Sequence, residues 1–151
     1  MTLFQFEADF GETLHCIPLA VRFKLDTCGL KLKLSQWQRL SLEQRQQLRS
    51  ISCASDGEVA TFRQTLLDWV QATSGEVVAD LPLDPHPPWQ SGHWPAGLVE
   101  EAARQGIVLT PTQWSGLTLL QRYALVKLGR PSHEHRNFVL ALREFGLVTE
   151  S

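Results

Sequence analysis

The side chains of this 151-residue chain best suited to nucleophilic or metal chemistry are Cys16, Cys28, Cys53 and five histidines. Zinc and iron-sulfur sites draw on closely spaced CxxC pairs, because two thiolates on one tight turn face the same ion. The cysteines here are separated by eleven and then twenty-four residues, which supplies no such pair. On one continuous helix the Cα atoms of Cys16 and Cys28 would lie about 18 Å apart, too far for a disulfide or a shared mononuclear ion. Unwinding before Pro18 would shorten that span, so Cys16 and Cys28 remain a weak alternative metal pair. An odd number of cysteines in an apparently intracellular chain points to reduced thiols, and small buried hydrophobes describe them best. Cys28 is expected at a helix C-terminus, where the dipole raises a thiol pKa while Arg22, Lys24 and Lys31 work against it, so a nucleophilic role is disfavoured.

The histidines form no better constellation. His133 and His135, two residues apart, point to different faces of a helix that holds both. His86 and His93 fall with Trp89 and Trp94 in a proline-rich stretch, read as a well-packed linker, with a partner-docking strip as the sharper alternative. The chain contains no GxSxG, P-loop, HExxH or dinucleotide glycine fingerprint. No catalytic residue, cofactor or metal is expected from these patterns, and the protein is read as a non-enzyme.

Charge is segregated along the chain. Residues 15 to 50 carry seven Lys or Arg against two acids, residues 51 to 102 carry one against eight, and residues 103 to 151 carry six against three. Such runs become solvated faces, pair with one another, or dock an acidic partner. Nucleic acid is disfavoured, since no glycine-aromatic motif or dense basic stripe accompanies the charge. The first segment, residues 1 to 14, has three acids and no base, unlike the basic start of a signal peptide, and no apolar run approaches a membrane span. A cytoplasmic protein is expected. With 43% hydrophobic residues, a chain of this length buries roughly 70% of its unfolded surface and needs no staple.

The elements that must position these residues are helical. Phe4, Phe6, Ala8 and Phe10 alternate with polar neighbours as an extended lead-in would, ended by Gly11. Ile17, Val21, Leu25 and Cys28 recur at helical spacing, with Pro18 in the first turn and Gly29 as the stop. Leu30, Leu32 and Leu34 alternate with lysines as an extended connection, after which Ser35 is read as the cap of a short turn carrying Trp37 and Leu40. Ser41 with Gln44 forms a capping box that opens a helix to about Ser50, and Thr118 with Gln121 forms another. Val59, Phe62, Leu66, Trp69 and Val70 make the stripe of a helix ending near Gly75. Prolines 82, 85, 87, 88 and 95 break helical pattern, and a helix over roughly 96 to 105 follows, stopped by Gly106.

Residues 29 to 48 and 106 to 125 align without a gap at an offset of 77, with nine identities in twenty positions. Gly29/Gly106, Trp37/Trp114 and Arg45/Arg122 are the structural anchors of that match. The tryptophans are read as plugs between a short turn and the next helix, and the arginines as holding carbonyls or a carboxylate. An offset of 76 then pairs Glu58, Phe62, Leu66 and Trp69 with Glu134, Phe138, Leu142 and Phe145. The expected architecture is all-α: one domain, residues 1–151, of two tandem pseudo-repeats of a three-helix unit. The first copy covers about 14–75, a Pro-rich connector about 76–95 and the second copy about 96–147.

FQFEADF at residues 4 to 10, CIPLAVRFKLDTCGLKLKLSQW at residues 16 to 37 and GIVLTPTQW at residues 106 to 114 together resemble the nitrate reductase-associated protein family, known mainly from cyanobacteria and other photosynthetic organisms. The resemblance spans nearly the whole chain. It implies a non-enzymatic accessory or maturation factor needed for assimilatory nitrate reductase, with that enzyme as partner. Its motif points to Cys16, Arg22, Lys24, Asp26, Cys28, Gly29 and Trp37. Because positive charge is concentrated in the first copy, Arg22, Lys24, Asp26, Lys31 and Lys33 are taken as the partner-binding residues. The reductases concerned use a molybdenum cofactor and an iron-sulfur cluster, so the alternative is a carrier that delivers one of these groups. A generic helical interaction module is weaker still.

Overall fold

A side-chain cap marks the start of four of the described helices. The computed structural model describes residue 4, residues 16–129 and residues 136–148, and within them eight α-helices and one two-stranded ribbon. In chain order these are α1 (Leu19–Cys28), β1 (Leu30–Lys31), α2 (Leu34–Arg39), α3 (Leu42–Ser50), α4 (Asp56–Ser74), β2 (Ala79–Asp80), a 3-10 turn (Pro88–Gln90), α5 (Ala96–Arg104), α6 (Pro111–Ser115), α7 (Leu119–Leu128) and α8 (Arg136–Glu144). The protein is mostly helical, in keeping with the all-α expectation. Ser41 and Thr118 cap α3 and α7 with reciprocal bonds to Gln44 and Gln121, as their spacing predicts. Ser55 and Glu58 do the same for α4, so the Ser-Asp-Gly break is itself a start signal.

One cap differs from expectation. α2 begins at Leu34, one residue before Ser35, and its N-cap is Lys33. Lysine offers no acceptor, so only half a box forms: Gln36 Oε1 accepts from the Lys33 backbone N–H at 3.0 Å. Phe6, Ala8 and Phe10 of the expected lead-in, its stop Gly11, and the pair His133 and His135 lie outside the described residues.

The chain divides into two compact units, Met1–Leu83 and Asp84–Ser151. The boundary falls inside the stretch read as connector. In the first unit α1 and α2 pack on the long α4, and α1 also touches α3. Their buried faces supply one core: Val21, Leu25, Cys28, Leu30, Trp37, Leu40, Leu48, Phe62, Leu66 and Val70, with Val78 closing it. β1 and β2 run antiparallel, Leu30 opposite Asp80 and Lys31 opposite Ala79. The front of the connector is therefore part of this unit.

In the second unit the 3-10 turn packs on α7, and α7 on α8. Trp94, Leu98, Ala102, Leu109, Trp114, Tyr123, Leu125, Phe138 and Leu142 are buried. The back of the connector is woven into this core. Trp94 Nε1 donates to Thr110 O at 2.7 Å, Trp114 Nε1 donates to Ser91 O at 2.8 Å, and the two indoles lie 4.7 Å apart. Trp89 meets Tyr123 edge to face, with the Lys127 ammonium over both rings. Among the described residues no helix is long and apolar enough to cross a membrane.

Candidate functional site

The segment from Cys16 to Trp37 carries most of the residues singled out by sequence, and the structure gives them different tasks. Arg22 is exposed, and its Nε turns back to donate to Ile17 O at 3.1 Å, tying the chain ahead of α1 to the helix. Lys24 reaches across the unit. Its ammonium donates to Leu48 O at 3.0 Å and to Arg49 O at 2.7 Å, satisfying carbonyls at the end of α3, and lies 5.9 Å from the Phe62 ring centroid. Burial lowers its pKa, with the neighbouring Cys53 pulling the other way. Asp26 is half-buried on the same helix.

Lys31 and Lys33 stand apart from these. Both are exposed, and neither ammonium enters an ion pair or a hydrogen bond within the described residues. Of the five residues expected to contact a partner, two therefore serve the fold directly while Lys31 and Lys33 present free charge. Leu34 and Val77 add exposed apolar surface in the same unit.

Cys28 ends α1 and is buried, its Sγ donating to Leu25 O at 3.6 Å. Burial pushes the thiol from 9.0 up to about 11; Cys53 adds to the rise and Arg63 opposes it. The rise is in the expected direction, but burial and not the helix end is its largest cause, and Arg63 rather than Arg22, Lys24 or Lys31 opposes it. A thiol so protonated near neutral pH is a poor nucleophile. Cys53 is half-buried and also raised, chiefly by burial. All three cysteines are free thiols, and among the described residues no group of three or more His, Cys, Asp or Glu side chains is placed to hold a metal ion.

Gly29 follows Cys28 with φ +77°, and a Cβ there would sit 3.0 Å from Leu81 O. Leu81 is in turn held by its N–H to Gly29 O at 2.8 Å. The residue that locks this corner is Arg63 of α4. Its Nη1 donates to Cys28 O at 2.7 Å and to Gly29 O at 3.3 Å, and its Nη2 pairs with Asp80 at 2.8 Å. Sequence reasoning missed Arg63; the signal was its standing as the sole Lys or Arg between residues 51 and 102.

The anchor tryptophans are buried alike in the two units, while the arginines reach carbonyls at different positions. Trp37 and Trp114 are fully buried. Arg45 Nε donates to Leu40 O at 3.1 Å, and Arg122 Nε donates to Trp114 O at 3.2 Å while its guanidinium lies 5.0 Å from the Trp114 ring centroid. Carbonyls, not a carboxylate, are the targets of these two bonds. Gln36 Nε2 reaches Glu76, just past Gly75 at the end of α4, and Gln113 Nε2 reaches Leu147 O, just past Gly146 at the end of α8. Gly106 repeats the left-handed turn of Gly29 at φ +76°.

These features define a small, predominantly helical protein in which many polar side chains serve to close helix ends. The chain matches the family model described as conserved nitrate reductase-associated protein over residues 3–145, and it belongs to that family. Comparison with curated proteins and with solved structures gives no match.

Proposed function

We propose that this protein is a non-catalytic accessory factor of assimilatory nitrate reductase, acting in the cytoplasm by direct contact with the enzyme or its apo form during maturation. The observation that carries this reading is the family match over nearly the whole chain. Of the residues singled out by sequence, Arg22, Lys24, Asp26, Lys31 and Lys33, the favoured contacts are Lys31 and Lys33. Their free ammonium groups suit an acidic patch on the partner, where complementary charge speeds encounter and sets orientation.

We also propose that the two units are tandem copies of one ancestral unit. Supporting this are the matched capping boxes at Ser41 and Thr118, the matched left-handed glycines and the buried tryptophans.

The test is nitrate reductase activity, together with reductase polypeptide and molybdenum content, in cells lacking this gene and grown on nitrate. Polypeptide present but inactive is the expected result, and missing molybdenum would place the step at cofactor insertion. Unchanged activity would overturn the assignment.

A further inference from the structure

Residues 76–83 form a strap on the first unit, running from Gly75 at the end of α4 to Leu83, the last residue of that unit. Val78 is buried and Leu81 half-buried, but every other residue of the strap is exposed, Val77 to 80% and Leu83 to 61%. The stretch it pairs with is built differently, since Leu30 and Leu32 are both core residues. Leu81 N–H donates to Gly29 O at 2.8 Å, and the antiparallel register makes Lys31 and Ala79 the next hydrogen-bonded pair. Asp80 meets Arg63 at 2.8 Å, and Glu76 accepts from Gln36 Nε2 at 3.1 Å.

These holds are few and lie at the surface. The ladder is two residues long and the Asp80 side chain is 82% exposed. A segment with so few buried contacts opens at a lower free energy than the core beneath it. Arg63 also bonds Cys28 O and Gly29 O, so its guanidinium stays positioned for a carboxylate when Asp80 leaves. What an open strap uncovers is one side of β1, the apolar place of Val78 in the core, and that guanidinium. The strap brings acids to this place, Glu76 and Asp80, while the stretch that receives it carries Lys31 and Lys33.

We propose that the place filled by the strap is a binding site for an extended acidic segment of a partner protein, which pairs with β1 in the strap's stead. The strap specifies the chemistry of its replacement. That segment carries a β-branched apolar residue where Val78 is buried, an outward residue opposite Lys31, a carboxylate for Arg63, and an apolar residue at the place of Leu81. A tethered strap competes at an effective concentration of about millimolar, so a free peptide enters poorly. A partner already held through other contacts delivers its segment on equal terms. This inference does not rest on the assignment to nitrate reductase: unchanged reductase activity in the deletion strain would leave it standing, and its own failure would leave that assignment standing.

Hydrogen exchange on the full, unaltered chain tests the opening. The Leu81 amide is expected to exchange roughly tenfold or more faster than the amides of Leu66 and Val70 in the core of α4. Binding is then read with a labelled peptide, EVVADLPL, the sequence of residues 76 to 83. Ala79→Pro removes a ladder donor from an exposed position of the strap and leaves Gly29, Lys31 and Arg63 in place. The full chain with Ala79→Pro should bind the peptide roughly tenfold or more tightly than the natural chain, as the loss of one to two hydrogen bonds by the competitor implies. The same peptide with Val78→Asp should bind far more weakly, since its carboxylate would enter the core. Circular dichroism checks that Ala79→Pro folds, and the exchange result on the natural chain decides the matter if it does not. Three results would overturn the proposal: a Leu81 amide as slow as those of Leu66 and Val70, no saturable binding to Ala79→Pro, or equal binding of the two peptides.

Discussion

Gly29 shows how one residue of the family motif can be demanded by geometry. Its φ of +77° lies where a side chain costs about 1–2 kcal/mol, and the 3.0 Å approach of Leu81 O is closer than an added methyl ordinarily tolerates. A retreat of Leu81 would stretch its 2.8 Å bond to Gly29 O. Gly106 shares the backbone conformation at φ +76° but has nothing within 4 Å of its imagined Cβ. Urea unfolding should therefore separate the two: Gly29→Ala is expected to cost about 2–3 kcal/mol and Gly106→Ala about 1 kcal/mol. Equal costs would show that the close approach to Leu81 has no energetic weight. The neighbouring Cys28 belongs to the same corner, where its burial explains the motif cysteine as a packing residue.

Among the elements, α1, α4 and the β1–β2 ribbon meet at one side chain. Arg63 closes carbonyls at the end of α1, 35 and 34 residues before it, and reaches Asp80 on β2, 17 residues after it. The two halves of its work differ in weight. The carbonyl bonds are partly buried and charge-assisted, a class worth about 1.5–3 kcal/mol, whereas the Asp80 side chain is 82% exposed and such ion pairs contribute about 0–1 kcal/mol. Arg63→Met should thus lower unfolding free energy by about 1–3 kcal/mol and Asp80→Asn by well under 1 kcal/mol. If Asp80→Asn proved as costly as Arg63→Met, the ion pair and not the carbonyl clamp would hold the corner.

For the whole molecule, the net charge of -2 hides the feature that matters for association. The basic run in residues 15 to 50 is partly consumed inside the first unit by Arg22, Lys24 and Arg45, while Lys31, Lys33 and Arg39 are exposed on its surface. A docking surface built on Lys31 and Lys33 should be sensitive to ionic strength, since exposed charges are screened over about 8 Å at physiological salt. In titrations with purified nitrate reductase, affinity is expected to fall with added salt. The double variant Lys31→Glu, Lys33→Glu should abolish that dependence without moving the thermal midpoint. Lys24→Met should instead lower the midpoint, because it strands the carbonyls of α3. Salt-independent binding that survives the charge reversal would move the contact elsewhere on the protein.

What the amino-acid sequence determined by itself was the local grammar. Helix starts at Ser41 and Thr118, stops at Gly29, Gly75 and Gly106, and the buried stripes of α1 and α4 all follow from interactions within about four residues, which a linear pattern records. The family motif was legible for the same reason. Tertiary structure decided where the long polar side chains end. Lys24 finds carbonyls twenty-four residues away, Arg63 finds Cys28, and Trp94 of the proline-rich stretch becomes core of the second unit. A side chain's reach is written in its residue type, but its target depends on which distant segment the fold brings within about 3 Å, and no local periodicity encodes that.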